Sequence, residues 1–147
     1  MKYINVAIAL EALGFSIGKE RGTSNKQLKT FNDQVSQIVK LVGEPTASLI
    51  TKSLPPEQWT TEAGNAYNGL KHANRKATDW RIAEEKAEEG LTLIRAWAAI
   101  ELGVDAELVN ERLKSHWSPK QYRHLRHLTA AQYFFEINIY WALFNGI

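Results

Sequence analysis

The sequence predicts an all-α protein, a helical bundle of about five to six helices. Apolar residues recur at helical spacing along most of the 147-residue chain, and no stretch alternates as a half-buried strand does. Glycine and proline fall between these stripes at intervals that suit helices of ordinary length. The chain is read as a single helical domain, 1–147, long enough to bury a core without cross-links. It opens on a core helix and closes on an apolar one, a pattern also expected of one domain taken from a longer protein.

Ile4, Ala7, Ile8, Leu10, Leu13 and Ile17 form the first stripe, with Glu11 as a polar intruder, so a helix is expected from about Lys2 to Lys19, ended by Gly18 and Gly22. Thr23 or Ser24 can cap a second helix carrying Leu28, Phe31, Val35, Ile38, Val39 and Val42, stopped by Gly43 and Pro45. One or two turns follow at Thr46–Ser53. Pro55 and Pro56 then open a long helix with Trp59, Ala63, Ala66, Tyr67, Leu70 and His72, ending near Ala73 or Asn74. Thr78 or Asp79 caps a fourth long helix, Trp80 to Leu102. Its expected inner face is Leu91, Ile94, Trp97, Ala98 and Leu102, and its expected outer face the acidic Glu84, Glu85, Glu88 and Glu89. A shorter helix, Asp105 to Trp117, carries Leu108, Val109 and Leu113, and Ser118-Pro119 restarts a last helical region in the aromatic tail.

Composition excludes several classes. With no cysteine there is no disulfide frame, thiol nucleophile or thiolate metal site, which fits a reducing, cytoplasmic setting. The N-terminal apolar run is broken by Glu11 and follows helical spacing, unlike a secretory leader. The tail YFFEINIYWALFNGI is shorter than a membrane-spanning helix and contains Glu136 and Asn138, so no membrane partner is expected. No phosphate-binding glycine loop, serine–histidine–acid set or metal-ligand spacing occurs, and neither metal nor other cofactor is expected. The net charge of +2 is uneven: residues 1–76 hold ten Lys or Arg against six Asp or Glu, and residues 77–147 eight against ten.

The basic half contains NAYNGLKHANRK, residues 65–76. Asn68 and His72 are four apart, so on a helix they project from one face within reach of a shared ligand. Lys71, Arg75 and Lys76 surround the histidine with charge that would attract phosphate. The same residues are also those that close a helix C-terminus, where the macrodipole favours cations. Both readings follow from the residues alone.

The segments ALEALG in the first helix and YNGLKHANR in the third resemble the HEPN superfamily of small helical domains, especially its Apea-like and abortive-infection branches. The resemblance spans the chain as a bundle, and its sharp part is about nine residues long. It implies an RNA-directed domain in antiviral defence or toxin–antitoxin systems, a metal-independent endoribonuclease that works as a homodimer. Carried over position by position, it makes Asn68 the polar residue and His72 the catalytic histidine of the family's arginine-to-histidine motif. Tyr67 stands where the family has arginine, and a tyrosine hydroxyl donates a hydrogen bond without bringing charge. Lys71, Arg75 and Lys76 are the remaining candidates for holding RNA phosphate, with Tyr67 as a neutral donor. The alternative is a non-catalytic helical module for dimerisation or partner binding, antitoxin-like or an assembly domain, in which the motif only closes a helix.

Basic and aromatic residues also cluster elsewhere in the chain. Lys120, Arg123, His124, Arg126 and His127 form a second basic cluster, most simply a solvated helix face, and no third ligand accompanies the two histidines. Of the five tryptophans, Trp97 and Trp141 sit in apolar stripes, whereas Trp80 is placed to meet a base or a second copy.

Overall fold

The computed structural model describes residues 2–52, 54–72 and 79–116. Among them are six α-helices and no strand: α1 Lys2–Glu20, α2 Phe31–Val42, α3 Glu44–Thr51, α4 Pro56–Lys71, α5 Trp80–Glu101 and α6 Ala106–His116. The all-α bundle expected from the spacing is therefore the fold. The core is formed by residues from all six, with Leu10, Val35, Ile38, Ala47, Ile50, Trp59 and Leu93 fully enclosed and Val109 of α6 at its margin. Trp117, expected to end the shorter helix, and the expected last helical region, with the 120–127 basic cluster and Trp141, lie outside the described residues.

Helix ends follow local chemistry. After Glu20, Gly22 adopts φ +75°, with Thr23 N–H bonded to the Gly18 carbonyl at 2.8 Å and Gly22 N–H to that of Lys19 at 3.0 Å, the paired closure of a left-handed C-terminal stop. Gly18 is thus inside α1 and does not end it. The cap expected at Thr23 or Ser24 serves only a 3₁₀ turn at Asn25–Gln27. Helix α2 starts six residues later because Thr30 and Asp33 bond each other's backbone N–H, at 3.1 and 3.0 Å. Gly43, at φ +84°, both ends α2 and precedes α3, which therefore begins at Glu44 instead of Thr46.

The interior of α5 departs most from expectation. Its buried residues are Ala83, Lys86, Ala87, Glu89, Gly90, Leu93 and Ala96, while Leu102, expected inside, is 69% exposed. Glu89, expected on the solvated face, is only 1% exposed. The helix is turned so that its small residues meet the other helices. A Cβ at Gly90 would lie 2.8 Å from Leu10 Cδ1 and 3.1 Å from Val6 Cγ1, so α1 and α5 approach through that glycine. Close contact displaces Leu91, Ile94 and Trp97 to the flanks, where they are half-buried. Leu108 on α6 and Ile8 on α1 are likewise exposed, contrary to their place in the stripes.

Candidate functional site

The buried face of α4 consists of Trp59, Thr60, Ala63, Gly64, Ala66 and Tyr67. Tyr67 is its last member. Beyond it the helix leaves the core, so Leu70, Lys71 and His72 face solvent while Asn68 is half-buried. The helix ends at Lys71, slightly short of the expected Ala73 or Asn74. His72 is its C-cap, with extended backbone angles and its N–H bonded to the Asn68 carbonyl at 3.1 Å. Asn68 and His72 are thereby tied one turn apart, and the imidazole remains exposed. Arg75 and Lys76 lie outside the described residues, as does the end of NAYNGLKHANRK.

Tyr67 occupies a different environment from its motif neighbours. Its ring is 4% exposed and tilts against Phe31 of α2 with centroids 5.4 Å apart. Its hydroxyl donates to Glu11 Oε2 of α1 at 3.3 Å. Lys71 Nζ sits 5.1 Å from the ring centroid on the solvent side, a cation over an aromatic face. Two segments far apart in sequence, ALEALG and YNGLKH, therefore meet through Glu11 and Tyr67.

Beneath the motif lies a polar cluster that sequence reasoning missed. Trp59 Nε1 donates to Glu89 Oε2 at 2.7 Å, and Lys86 Nζ donates to the same oxygen at 3.1 Å. Glu62 Oε2 of α4 is 3.8 Å from Lys86 Nζ on the outer side. Tyr3 of α1 donates its hydroxyl to the Ala63 carbonyl at 2.5 Å. Burial pushes the Glu89 carboxyl above its ordinary range, against the pull of Trp59 and Lys86, and Glu85 adds to the rise. Burial also raises the Tyr3 phenol, with the negative charge of Glu89 next and Tyr67 after it. One sequence signal could have found the cluster: Glu89 is in helical phase with Leu93 and Ala96, and Lys86 is three residues before it. The cluster joins α1, α4 and α5 and holds the base of the motif helix.

Other possibilities are limited. Among the described residues no group of three or more His, Asp or Glu is placed to hold a metal ion. None of their helices is long and apolar enough to cross a membrane. A groove of about 360 Å³ between α2 and α4, lined by Asp33, Lys40, Glu57, Thr60 and Thr61 among others, lies at the opposite end of α4 from His72. Trp80 is 66% exposed, and Arg81 holds its guanidinium carbon 5.6 Å from the Trp80 ring centroid. The fold and site thus define a helical-bundle domain with an exposed histidine at a helix end. Compared with protein-family models, curated proteins and solved structures, the chain matches none.

Proposed function

We propose that this chain is a HEPN-like, RNA-directed domain and a metal-independent endoribonuclease in which His72 transfers the proton. The observation that carries this reading is the contact of Tyr67 with Glu11 beside an exposed His72. It brings together the two segments that resemble the superfamily and leaves the motif histidine open to a ligand. The RNA's own 2′-hydroxyl attacks the adjacent phosphorus, the bond to the 5′-oxygen breaks, and a cyclic phosphate and a free 5′-hydroxyl result. An imidazole has one ring nitrogen that accepts a proton and one that donates, so His72 suits removal of the 2′-hydroxyl proton or delivery of one to the leaving oxygen. A single histidine does not serve both transfers in one step, and a two-fold homodimer supplies the second.

Tyr67 points into the bundle, so its place in the motif supplies no charge for phosphate. Lys71, one turn on and over the same ring, is the described cation best placed for it. Asn68 orients the imidazole or the phosphate. A role in antiviral defence or a toxin-type system and a cytoplasmic setting go with this reading.

The second reading, a non-catalytic dimerisation or partner-binding module, is favoured by Tyr67 itself, which packs as a core residue where active relatives would carry arginine. Labelled single-stranded and structured RNAs incubated with the protein in EDTA decide between them. Cleavage that persists in the chelator and disappears in His72→Ala supports the nuclease. No cleavage and no RNA affinity, with the variants folded and dimeric, leaves the binding module.

A further inference from the structure

We propose that Trp80 and Arg81 form a stacking platform for one base of a single-stranded RNA, beside the motif end of α4. The inference rests on the RNA-directed reading and adds to it the strandedness of the ligand and the residues that grip it.

Trp80 is the first residue of α5, and the buried face of that helix begins one turn later, at Ala83. The indole therefore has no place in the core, and it is 66% exposed. Arg81 lies over it at 5.6 Å, a cation–π contact that keeps a second flat, cationic group against the ring. A base is flat and polarisable and stacks on either surface, while the guanidinium fork has donors to spare for the attached phosphate.

The register of the two helices sets where this platform lies. Trp59 meets Glu89 and Glu62 meets Lys86, so each step forward along α4 is matched by the same step back along α5. Continuing by six residues, about 9 Å of helix rise, brings Trp80 level with Asn68. The platform and the exposed Lys71 and His72 then share one end of the α4–α5 pair.

Charge at that end favours a polyanion on one side only. Asp79 is the cap of α5, and its carboxylate accepts the Arg81 backbone N–H at 2.8 Å. Glu84 and Glu85 are exposed one turn further along α5 and repel phosphate there. A strand is steered away from them, toward Lys71 and His72. Bases inside a duplex have no free face for an aromatic side chain, so the ligand is single-stranded, and stacking makes it tolerant of base identity.

The test uses the full chain and a labelled single-stranded RNA of about 12 nucleotides, within the span that one binding groove covers, with the same sequence as a duplex for comparison. Fluorescence anisotropy gives the affinity of the natural protein and of Trp80→Ala, Trp80→Phe, Arg81→Ala and His72→Ala, with circular dichroism as the check on folding. The expected result is preference for the single strand, a loss of roughly 5- to 150-fold in Trp80→Ala as for one base stack, and near-retention in Trp80→Phe. Unchanged affinity in Trp80→Ala, with loss in His72→Ala, overturns the platform and leaves the RNA reading standing. No RNA binding by the natural protein overturns both. A Trp80→Ala variant that alters self-association in sedimentation but not RNA affinity overturns the platform and assigns Trp80 to a contact between copies.

Discussion

The indole N–H of Trp59 donates to a carboxylate oxygen of Glu89 at 2.7 Å, in the middle of the bundle and with both residues essentially sealed from solvent. The same oxygen also accepts from Lys86, so a buried negative charge is held by two donors from two helices. Removing the carboxylate leaves Lys86 buried without this partner. Glu89→Ala is expected to cost about 3–5 kcal/mol, the penalty for breaking a buried ionic contact from one side. Trp59→Ala, which adds a large cavity to the lost bond, is expected to prevent stable folding or to cost about 3–5 kcal/mol. Urea unfolding followed by circular dichroism measures both, and a loss under 1 kcal/mol in Glu89→Ala would show the cluster to be dispensable.

The raised Glu89 carboxyl gives a signed pH dependence. Its ordinary value is 4.5 and burial lifts it, so the folded state binds the proton more tightly than the unfolded chain does. The stability contributed by this linkage is fully present below the unfolded value and is lost as pH rises through the folded one. Glu89→Gln removes the titration. The difference in unfolding free energy between Glu89→Gln and the natural protein should therefore shift in favour of the variant as pH increases from 4.5. A difference that is flat over pH 4.5–8 contradicts the assignment.

Tyr67→Arg tests the missing charge. The guanidinium would start beside Glu11, whose carboxylate now accepts the tyrosine hydroxyl, and would surrender the packing against Phe31. A destabilisation of about 1–3 kcal/mol is expected from the altered core volume and the buried charge. If the domain is a nuclease, cleavage per folded molecule should rise, measured on the same RNA pool in EDTA. Tyr67→Phe, which removes only the hydroxyl, should cost about 0.5–1.5 kcal/mol and leave RNA affinity unchanged.

Two glycines that both sit within helices should respond unequally to alanine. A Cβ at Gly14 would run into the Gln34 backbone carbonyl of α2, which cannot yield without moving a helix. At Gly90 the nearest atom is Leu10 Cδ1 at 2.8 Å, the end of a side chain able to rotate. Gly14→Ala is expected to destabilise by about 1–3 kcal/mol or more despite the better helix propensity of alanine, and Gly90→Ala by clearly less. Thermal melts of the two variants side by side decide the order.

Much of the helix layout was legible because helix starts and stops are local. Pro56 at the opening of α4, Asp79 before α5 and Gly103 after it act through bonds within a few residues, and their positions agree with the expected boundaries to within a turn. The start of α2 was misplaced because two capping hydroxyls compete. Ser24 is bonded by Gln27 three residues on, but the pair closes only a 3₁₀ turn, whereas Thr30 and Asp33 exchange shorter backbone bonds at 3.1 and 3.0 Å where α2 begins. The site was legible in part: periodicity places Asn68 and His72 one turn apart, and the backbone bond between them agrees. That Tyr67 turns inward was not, because its partners Glu11 and Phe31 are distant in sequence.

The amino-acid sequence by itself determined the all-α class and the approximate limits of the helices, because period, caps and breakers act over a few residues. Only the tertiary structure decided which face of α5 is inside. Glu89 carries the same charge as Glu84, Glu85 and Glu88, and nothing in its local sequence provides the indole that makes its burial tolerable. Trp59 does so from thirty residues away, and the approach of α1 through Gly90 completes the choice. A buried carboxylate is stable only where donors from other helices meet it, and that meeting is a property of the packed chain.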